Sequence, residues 1–271
     1  MTTTTLSVPA ARRVSRSPLR AARDTLVIAE RNLIAYVRIP EALFFSSVQP
    51  IMFVLLFRYV FGGAIQVTNP GGYVNYLMPG IFVQTVAFGS VGTAIGLAED
   101  LQKGLIERFR SLPMARSAVL AGRTVADLCR NVLVTALITG VGFAVGFRPT
   151  HAVGFIAAVL LLLLFAYALS WGFAAVGLSA PNSETAQVMA FPLLFPLTFA
   201  SSAFVPVQSM PGWLQAFAKY QPVSQVIDAV RGLMVGGVSG VPGHVIASIA
   251  WACGFFLVLA PLAVNRYRTR T

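Results

Sequence analysis

The sequence predicts an all-α polytopic membrane protein with six transmembrane helices. Of its 271 residues, 56% are hydrophobic and only 11% are charged, and the mean hydropathy is +0.76. A soluble domain carries about 25% charged residues, so this chain has too few to cover a water-facing surface. Long apolar segments also alternate with polar or Gly/Pro-rich connectors. Six crossings of about 20 residues each leave only short loops and no room for a separate catalytic domain.

Six apolar segments have the length of a membrane-spanning helix. They lie at about 42–62, 77–98, 118–147, 153–179, 186–207 and 244–264. Together they form a predicted permease domain at 42–265, between a disordered basic tail at 1–19 and a basic tail at 266–271. The longest apolar run before Ala42 covers only residues 26–29. This run is too short for a signal-peptide core, so we expect no cleaved export signal.

Lysine and arginine are unevenly distributed between the connectors. Fifteen of the 20 lie before Glu41, around the loop between the second and third segments, or after the sixth segment. The opposite connectors hold only Arg148, Lys219 and Arg231. Basic residues concentrate in cytoplasmic loops, so we expect both termini in the cytoplasm, in agreement with an even number of crossings. The formal charge of +11 is therefore mainly an orientation signal, and we expect no nucleic-acid partner.

Residues 20–41 carry too many charges to cross a membrane, but their apolar residues recur at helical spacing. We predict an amphipathic helix in the cytoplasmic interface, with Leu26, Leu33 and Val37 on its apolar side. The alternative is a polar leader whose periodicity arises by chance.

The connector at 208–237 is too broken by Pro and Gly to cross a membrane and too apolar to lie free in water. We predict two short re-entrant helices in the outer leaflet, because non-helical backbone at membrane depth must be buried against protein or a cavity. The alternative is an ordinary extracellular loop of interfacial helices. The residues assigned to the re-entrant segment are Pro211, Trp213, Pro222, Asp228 and Arg231.

The loop at 99–116, between the second and third segments, combines mixed charges with an apolar side. Lys103 and Glu107 stand four residues apart, which places them on one face of a predicted helix. Such a helix could dock in a groove of a partner, with apolar anchors providing affinity and charges providing register. A simply solvated charged face is the alternative.

Ionisable residues inside apolar segments are candidate functional groups. Arg58 lies in the first segment, where it could line a substrate path and contact an anionic head group, or could extend to the nearby outer boundary. Arg123, Asp127 and Arg130 share one face of the third segment. They can neutralise each other, which favours a structural role.

Catalytic and cofactor motifs are not found in the sequence. Neither Lys103 nor Lys219 follows a glycine, so the G-x-x-x-x-G-K-[ST] phosphate loop is absent. His151 and His244 have no carboxylate or thiol nearby in sequence, which argues against a metal site. We therefore expect no catalytic site, cofactor or metal in this chain.

Three sequence blocks together resemble a known family. The first block is QPIMFVLLFRYVFGG at 49–63. The second comprises YLMPG at 76–80, the mixed-charge stretch at 99–113, and Gly122-Arg123. The third comprises FVP at 204–206, MPGWL at 210–214 and PVSQVIDAVRG at 222–232. In order and spacing they resemble the membrane subunit of type-2 ATP-binding-cassette exporters, closest to the daunorubicin/doxorubicin-resistance permease group.

The resemblance implies a dimer of six-helix subunits, identical or homologous, in the bacterial cytoplasmic membrane. Each subunit would bind a separate cytoplasmic ATPase, and the two ATPase copies would hold ATP and Mg²⁺. The substrate would be amphipathic or lipid-like: a drug, lipid, glycolipid or polysaccharide. The resemblance also assigns ATPase contact to the interfacial helix and to the loop. The loop residues are Glu99, Asp100, Lys103, Gly104, Glu107, Arg108, Phe109, Arg110, Leu112 and Pro113.

A stand-alone secondary transporter or channel is the alternative from a different class. Ion coupling in such a protein needs titratable residues near the middle of the bilayer. Glu41, Glu184 and Asp228 lie at segment ends or outside the segments. Their positions favour the exporter subunit.

Overall fold

A computed structural model describes residues 18–38, 40–65, 67, 71–105 and 116–269. These residues form nine α-helices and no strand, which confirms the predicted all-α class. The helices are α1 (Pro18–Arg38), α2 (Pro40–Leu55), α3 (Gly72–Gln102), α4 (Arg116–Ala144), α5 (Ala152–Ser179), α6 (Ser183–Phe199), α7 (Gly212–Tyr220), α8 (Pro222–Met234) and α9 (Val241–Thr269).

Four helices in the described part of the chain are long and apolar enough to cross a membrane. They cover Gly72–Gln102, Ala118–Ala144, Ala152–Ser179 and Val241–Tyr267. Two shorter helices correspond to the predicted first and fifth segments. One is α2, which continues through a π-helical turn at Leu56–Phe61, and the other is the 17-residue α6. Length and composition therefore define a multi-pass membrane protein.

Helix α3 is longer at both ends than the predicted second segment, since it begins at Gly72 and ends at Gln102. Its first turns contain tyrosines that lower the local hydropathy. In the fold these hydroxyls are buried and bonded, as when Tyr73 Oη donates to the carbonyl of Phe204 at 3.1 Å. Helix α9 likewise extends into the predicted basic tail, where Arg266 bonds the hydroxyl of Ser179.

The prediction is wrong at the C-terminal end of the fifth segment, because α6 ends at Phe199 and not near residue 207. Residues 200–206 leave the helix and pack against α3 at Gly80. A Cβ at Gly80 would collide with the carbonyl oxygen of Ala203. This connection is apolar and buried, so hydropathy alone cannot distinguish it from a helix.

Helix α3 lies at the centre of the fold, in contact with α2, α4, α5, α6 and α8. Most of its side chains are buried. Helix α5 approaches it closely at Gly177, where any Cβ would collide with the carbonyl oxygen of Ala94. Such close approach through small residues is how helices pack inside a membrane, where the solvent is itself apolar. Helix α5 also packs along α9.

Helix α1 packs along α4. Its buried side consists of Ile28, Ala29 and Asn32. Gly122 of α4 sets this contact, because a Cβ there would lie 2.6 Å from the Cβ of Ile28. The absence of a side chain at Gly122 therefore determines which side of α1 turns inward.

The predicted apolar side of α1 is not the side that packs on α4. Leu26 is 65% exposed and Leu33 is half-buried, while the side chain of Val37 lies outside the described residues. Val27 and Ile34 are exposed as well. Helix α1 therefore has two apolar sides, one against α4 and one free of the rest of the described chain.

Candidate functional site

Ionisable groups gather at two ends of the helix bundle. We call the end where α3 reaches Gln102 the lower end and the end where α3 begins at Gly72 the upper end. At the lower end Asp100 accepts a hydrogen bond from Arg31 of α1 at 3.1 Å. Arg123 of α4 lies 3.9 Å from the other oxygen of Asp100. One carboxylate therefore joins α1, α3 and α4.

Asp127 of α4 extends the lower network inward, and its side chain is fully buried. Tyr36 of α1 and Thr93 of α3 each donate to its carboxylate at 2.5 Å, and Arg123 lies 3.6 Å away. Burial first, and then the charge of Asp127, raise the pKa of the Tyr36 hydroxyl to about 12. A buried carboxylate needs such partners, because desolvation of an unpaired charge is strongly unfavourable.

The chain leaves α3 through a turn at Gly104, whose φ of +65° favours glycine. Lys103 bonds Glu99 at 2.6 Å on the exposed side of the last turn, and this bond raises the pKa of Lys103. Lys103 and Gly104 thus lie in a turn after α3, while Glu107, the predicted partner of Lys103 on one helix face, lies outside the described residues. Of the predicted loop residues, the following lie outside the described residues: Glu107, Arg108, Phe109, Arg110, Leu112 and Pro113.

Arg130 does not join its helix neighbours as the spacing predicts. Arg123 and Asp127 do pair, but the Arg130 guanidinium turns toward α3, where it donates to the carbonyl of Gly89. It also lies 5.6 Å from the centre of the Tyr36 ring. The predicted mutual neutralisation is thus correct only for the first two residues. The Arg130 guanidinium lies beside a backbone carbonyl and an aromatic ring.

A second buried network holds the upper end together. Arg231 of α8 pairs with Asp228 at 2.8 Å and donates to the backbone carbonyls of Tyr76 and Ser202 at 3.1 and 2.7 Å. Its guanidinium lies 3.8 Å from the centre of the Tyr76 ring. Ser202 also donates to Asp228 at 2.8 Å. The network fixes α8 to the beginning of α3 and to the connection after α6.

Helix α8 is further held to α6 and α9 by two glutamines. Gln221 caps the helix by accepting from the backbone of Val223, and it donates to the carbonyl of Leu197 at 2.9 Å. Gln225 bonds the ring of His244 at 2.8 Å. Nearly every side chain of α8 is buried. The helix is therefore part of the folded bundle and not a loosely attached loop.

The predicted re-entrant residues take different positions in the helical hairpin of α7 and α8. Pro211 precedes α7, and Pro222 is the buried first residue of α8, where its missing N–H leaves no donor unsatisfied. Trp213 is 76% exposed on α7. The sequence assigned these residues to one segment, but only α8 is packed into the bundle.

Arg58 lies in the π-helical turn that follows α2. Its side chain is half-buried and its guanidinium lies 6.0 Å from the centre of the neighbouring Tyr59 ring. Its Nε atom is buried and has no hydrogen-bond partner among the described residues. The side chain is not joined to either network.

A polar cavity between α2, α3 and α4 was not predicted. Gln84 of α3 and Asn131 of α4 face it together with Arg130. Uncharged polar residues inside an otherwise apolar segment were the available signal, but hydropathy averages them away. Within the described chain, no group of three His, Cys, Asp or Glu side chains could hold a metal ion.

The long apolar helices define the class of this protein as a multi-pass membrane protein. Comparison with known sequences identifies the family. The family described as ABC-2 type transporter matches residues 23–235. The chain belongs to this family, and its resemblance to the daunorubicin/doxorubicin-resistance permease group is confirmed.

Three relatives illustrate the similarity. The daunorubicin resistance ABC transporter permease protein DrrB1 of Streptomyces coeruleorubidus is 34% identical over 257 residues, covering 93% of this chain and 90% of the relative. The probable doxorubicin resistance ABC transporter permease protein DrrC of Mycobacterium tuberculosis is 29% identical over 253 residues, covering 92% and 90%. The doxorubicin resistance permease protein DrrB of the same species is 29% identical over 196 residues, covering 69% and 66%. These similarities support an ABC exporter permease.

Proposed function

We propose that this chain is the membrane subunit of an exporter driven by a separate ABC ATPase. The carrying observation is the lower network, in which Asp100 links α1 and α4 to the end of α3. The loop at 99–116 and α1 would receive force from the ATPase. The lower network would transmit this force to α3 and α4 together. A rigid-body change between packed states then switches access to the substrate path.

Six crossings complete this proposal. Helix α2 with its π-helical turn covers Pro40–Phe61, which at about 1.5 Å per residue is long enough to cross the roughly 30 Å of the hydrocarbon core. Helix α6, with 17 residues, is at the lower limit of about 17 for a spanning helix. We propose that α7 and α8 re-enter the outer leaflet beside the C-terminal end of α6.

The proposed orientation places the lower end and both termini in the cytoplasm, and the membrane is the bacterial cytoplasmic membrane. The arginines of the lower network, Arg31 and Arg123, belong to the basic side of the sequence. The concentration of basic residues on that side supports the orientation.

The proposed complex contains two permeases, identical or homologous, and two ATPase subunits that hold ATP and Mg²⁺. Exposed phenylalanines on α6 support a partner surface, since Phe195 and Phe199 stack with ring centres 4.7 Å apart and remain 46% and 37% exposed. Lipids or the second permease would cover them. We propose no catalytic role for this chain itself.

The proposed substrate is amphipathic with a large apolar part. The names of the relatives refer to daunorubicin and doxorubicin, which supports a drug-like compound. A lipid, a glycolipid and a polysaccharide are the other substrates included in this proposal. A strongly charged solute would meet few compensating groups along such a path.

Purification of the complex tests this function. The ABC ATPase that co-purifies with the chain should hydrolyse ATP in nanodiscs, and hydrophobic drugs or lipids should stimulate this hydrolysis. Phe109→Ala should weaken ATPase binding more than Lys103→Ala, because an apolar anchor commonly contributes about 2 kcal/mol or more and an exposed charge much less. Transport that needs an ion gradient and no ATPase would instead indicate a secondary transporter.

A further inference from the structure

The polar cavity lies between α2, α3 and α4 and has a volume of about 100 Å³. Gln84 is near the midpoint of α3, and Arg130 is at the midpoint of α4. The cavity is therefore in the middle of the membrane-spanning part of the bundle. Gln49 of α2 lines it and is exposed, so the cavity reaches the outer surface of the described chain.

Several polar atoms in this cavity have no hydrogen-bond partner among the described residues. They are both amide atoms of Gln84, Nδ2 of Asn131 and Nε of Arg130. These residues are only 4%, 3% and 9% exposed. An unsatisfied buried polar group is unfavourable by about 1–3 kcal/mol, and in a membrane lipid offers no replacement partner. A bound ligand that supplies partners explains why three such side chains converge here.

The charge of the cavity identifies the ligand chemistry. Nearby Asp100 and Asp127 are already held by Arg31 and Arg123, together with hydroxyl donors. In the described part of the chain Arg130 pairs with no carboxylate. Its partners are the carbonyl of Gly89 and, at 3.5 Å, Oδ1 of Asn131. The cavity therefore holds a positive charge and spare N–H donors.

Two phenylalanines form part of the cavity wall. Phe53 of α2 and Phe88 of α3 line it. The ring centres of Phe88 and Phe195 of α6 are 5.9 Å apart, and those of Phe53 and Phe199 are 6.1 Å apart. The cavity wall therefore continues into the exposed aromatic surface of α6. An apolar body could extend along this surface while its polar end stays at Arg130.

We propose that the cavity binds the anionic head group of an amphipathic ligand, a phosphate or carboxylate held by Arg130, Gln84 and Asn131. The apolar part of the ligand lies against Phe53 and Phe88. A cationic amphiphile is disfavoured by the charge of Arg130. This inference rests on the proposed export function and adds to it the head-group charge of the compound that is bound.

The test compares three fluorescent probes with the same apolar body: 11-(dansylamino)undecanoate, its methyl ester, and the matching trimethylammonium compound. Each is titrated into the purified permease–ATPase complex, without ATP, in phosphatidylcholine nanodiscs. The anion should bind at least about tenfold more tightly than the other two, as expected for hydrogen bonds to a charged group. Arg130→Met should abolish this preference, and Gln84→Leu should reduce it.

Gln221→Leu is the matched control, because Gln221 is equally buried at 5% exposure but fully engaged at the upper end. It should lower the thermal stability and keep the preference for the anion. Gln84→Leu should leave the ligand-free stability unchanged or higher, since it removes two unsatisfied atoms and breaks no bond. If Arg130→Met fails to fold, the anion preference of Gln84→Leu still tests the proposal.

Equal binding of the three probes, or an unchanged preference for the anion in Gln84→Leu, would overturn the proposal and leave a cavity filled by water alone. Adding phosphatidylglycerol to the nanodiscs distinguishes the source of the anion. Competition by this lipid assigns the site to a lipid head group, and no competition assigns it to a separate anionic amphiphile. A complex that shows drug-stimulated ATP hydrolysis without anion preference would refute this inference and keep the proposed function.

Discussion

Arg31 of α1 and Asp100 of α3 are 69 residues apart in sequence and form an ion pair with an N–O distance of 3.1 Å. The pair joins α1 to the last turn of α3, at the beginning of the 99–116 segment that we propose contacts the ATPase. Because Arg123 approaches the same carboxylate, a displacement of α1 also acts on α4. This shared group makes the lower end a single mechanical unit.

Removing one charge of this pair should change the free energy of unfolding and the transport per ATP hydrolysed to different extents. Arg31→Met should change the free energy of unfolding by less than about 1 kcal/mol, because the arginine is partly exposed. Asp100→Asn should destabilise more, since it also leaves the largely buried Arg123 without that partner. Both should lower transport per ATP hydrolysed. Lys219→Ala, on the exposed side of α7 and outside the lower network, is the control, and an equal loss of coupling there would contradict this role.

Alkaline pH should destabilise the contact between α1 and α4 through Tyr36. Its folded pKa of about 12 lies above the ordinary value of 10.0, because the hydroxyl is buried and bonded to Asp127. The stabilisation is therefore complete below about pH 10 and is lost as the pH rises toward 12. Thermal unfolding measured from pH 8 to 11 should show a steeper decline above pH 10 for the wild type than for Tyr36→Phe. Identical slopes would show that this hydroxyl is not the titrating group.

Loss of Arg231 should destabilise the upper end strongly. Arg231→Ala removes the ion-pair partner of Asp228 and the donor to two backbone carbonyls, and it should lower the free energy of unfolding by about 3 kcal/mol. Arg231→Lys should recover only part of this, because an ammonium group cannot reproduce the planar fork of bonds. Thermal unfolding in detergent and limited proteolysis measure the effect. Lys219→Ala, on the exposed side of α7, should change neither; a similar loss there would argue against a specific network.

Cysteine labelling tests the orientation of the two ends. Gly63 is exposed with open space at its Cβ position, and Lys103 is exposed at the lower end. In a background with Cys129 and Cys253 replaced by alanine, Gly63→Cys should react with an impermeant maleimide on intact cells. Lys103→Cys should react only after permeabilisation. The reverse pattern would invert the proposed topology.

Hydropathy predicted the helical class and the approximate position of the long helices because both depend on the composition of contiguous residues. Hydropathy failed where a buried apolar segment is not helical, as in the connection after Phe199. It made no prediction for the inward side of α1, where Gly122 of another helix sets the packing. Residues 106–115 of the predicted loop lie outside the described part of the chain.

Several charged site residues were predicted, but most of their partners on other helices were not. Asp228 and Arg231 were assigned to one segment by resemblance, whereas their contacts with Tyr76 and Ser202 come from distant parts of the chain. Gln84 was not predicted at all, because a single amide hardly changes the hydropathy of a long apolar helix. Its unsatisfied atoms become visible only when the surrounding helices are in place.

The sequence by itself determined that this chain is a helical membrane protein with a basic side, because composition, segment length and charge asymmetry are read along one dimension. It also determined the family, through blocks whose order and spacing are linear properties. Only the tertiary structure decided which polar groups meet. Arg231 finds its acceptor on Tyr76 across 155 positions of sequence, while Arg130 is left facing a cavity. Such pairings depend on how helices pack, since each buried polar group must find its partner on a neighbouring helix.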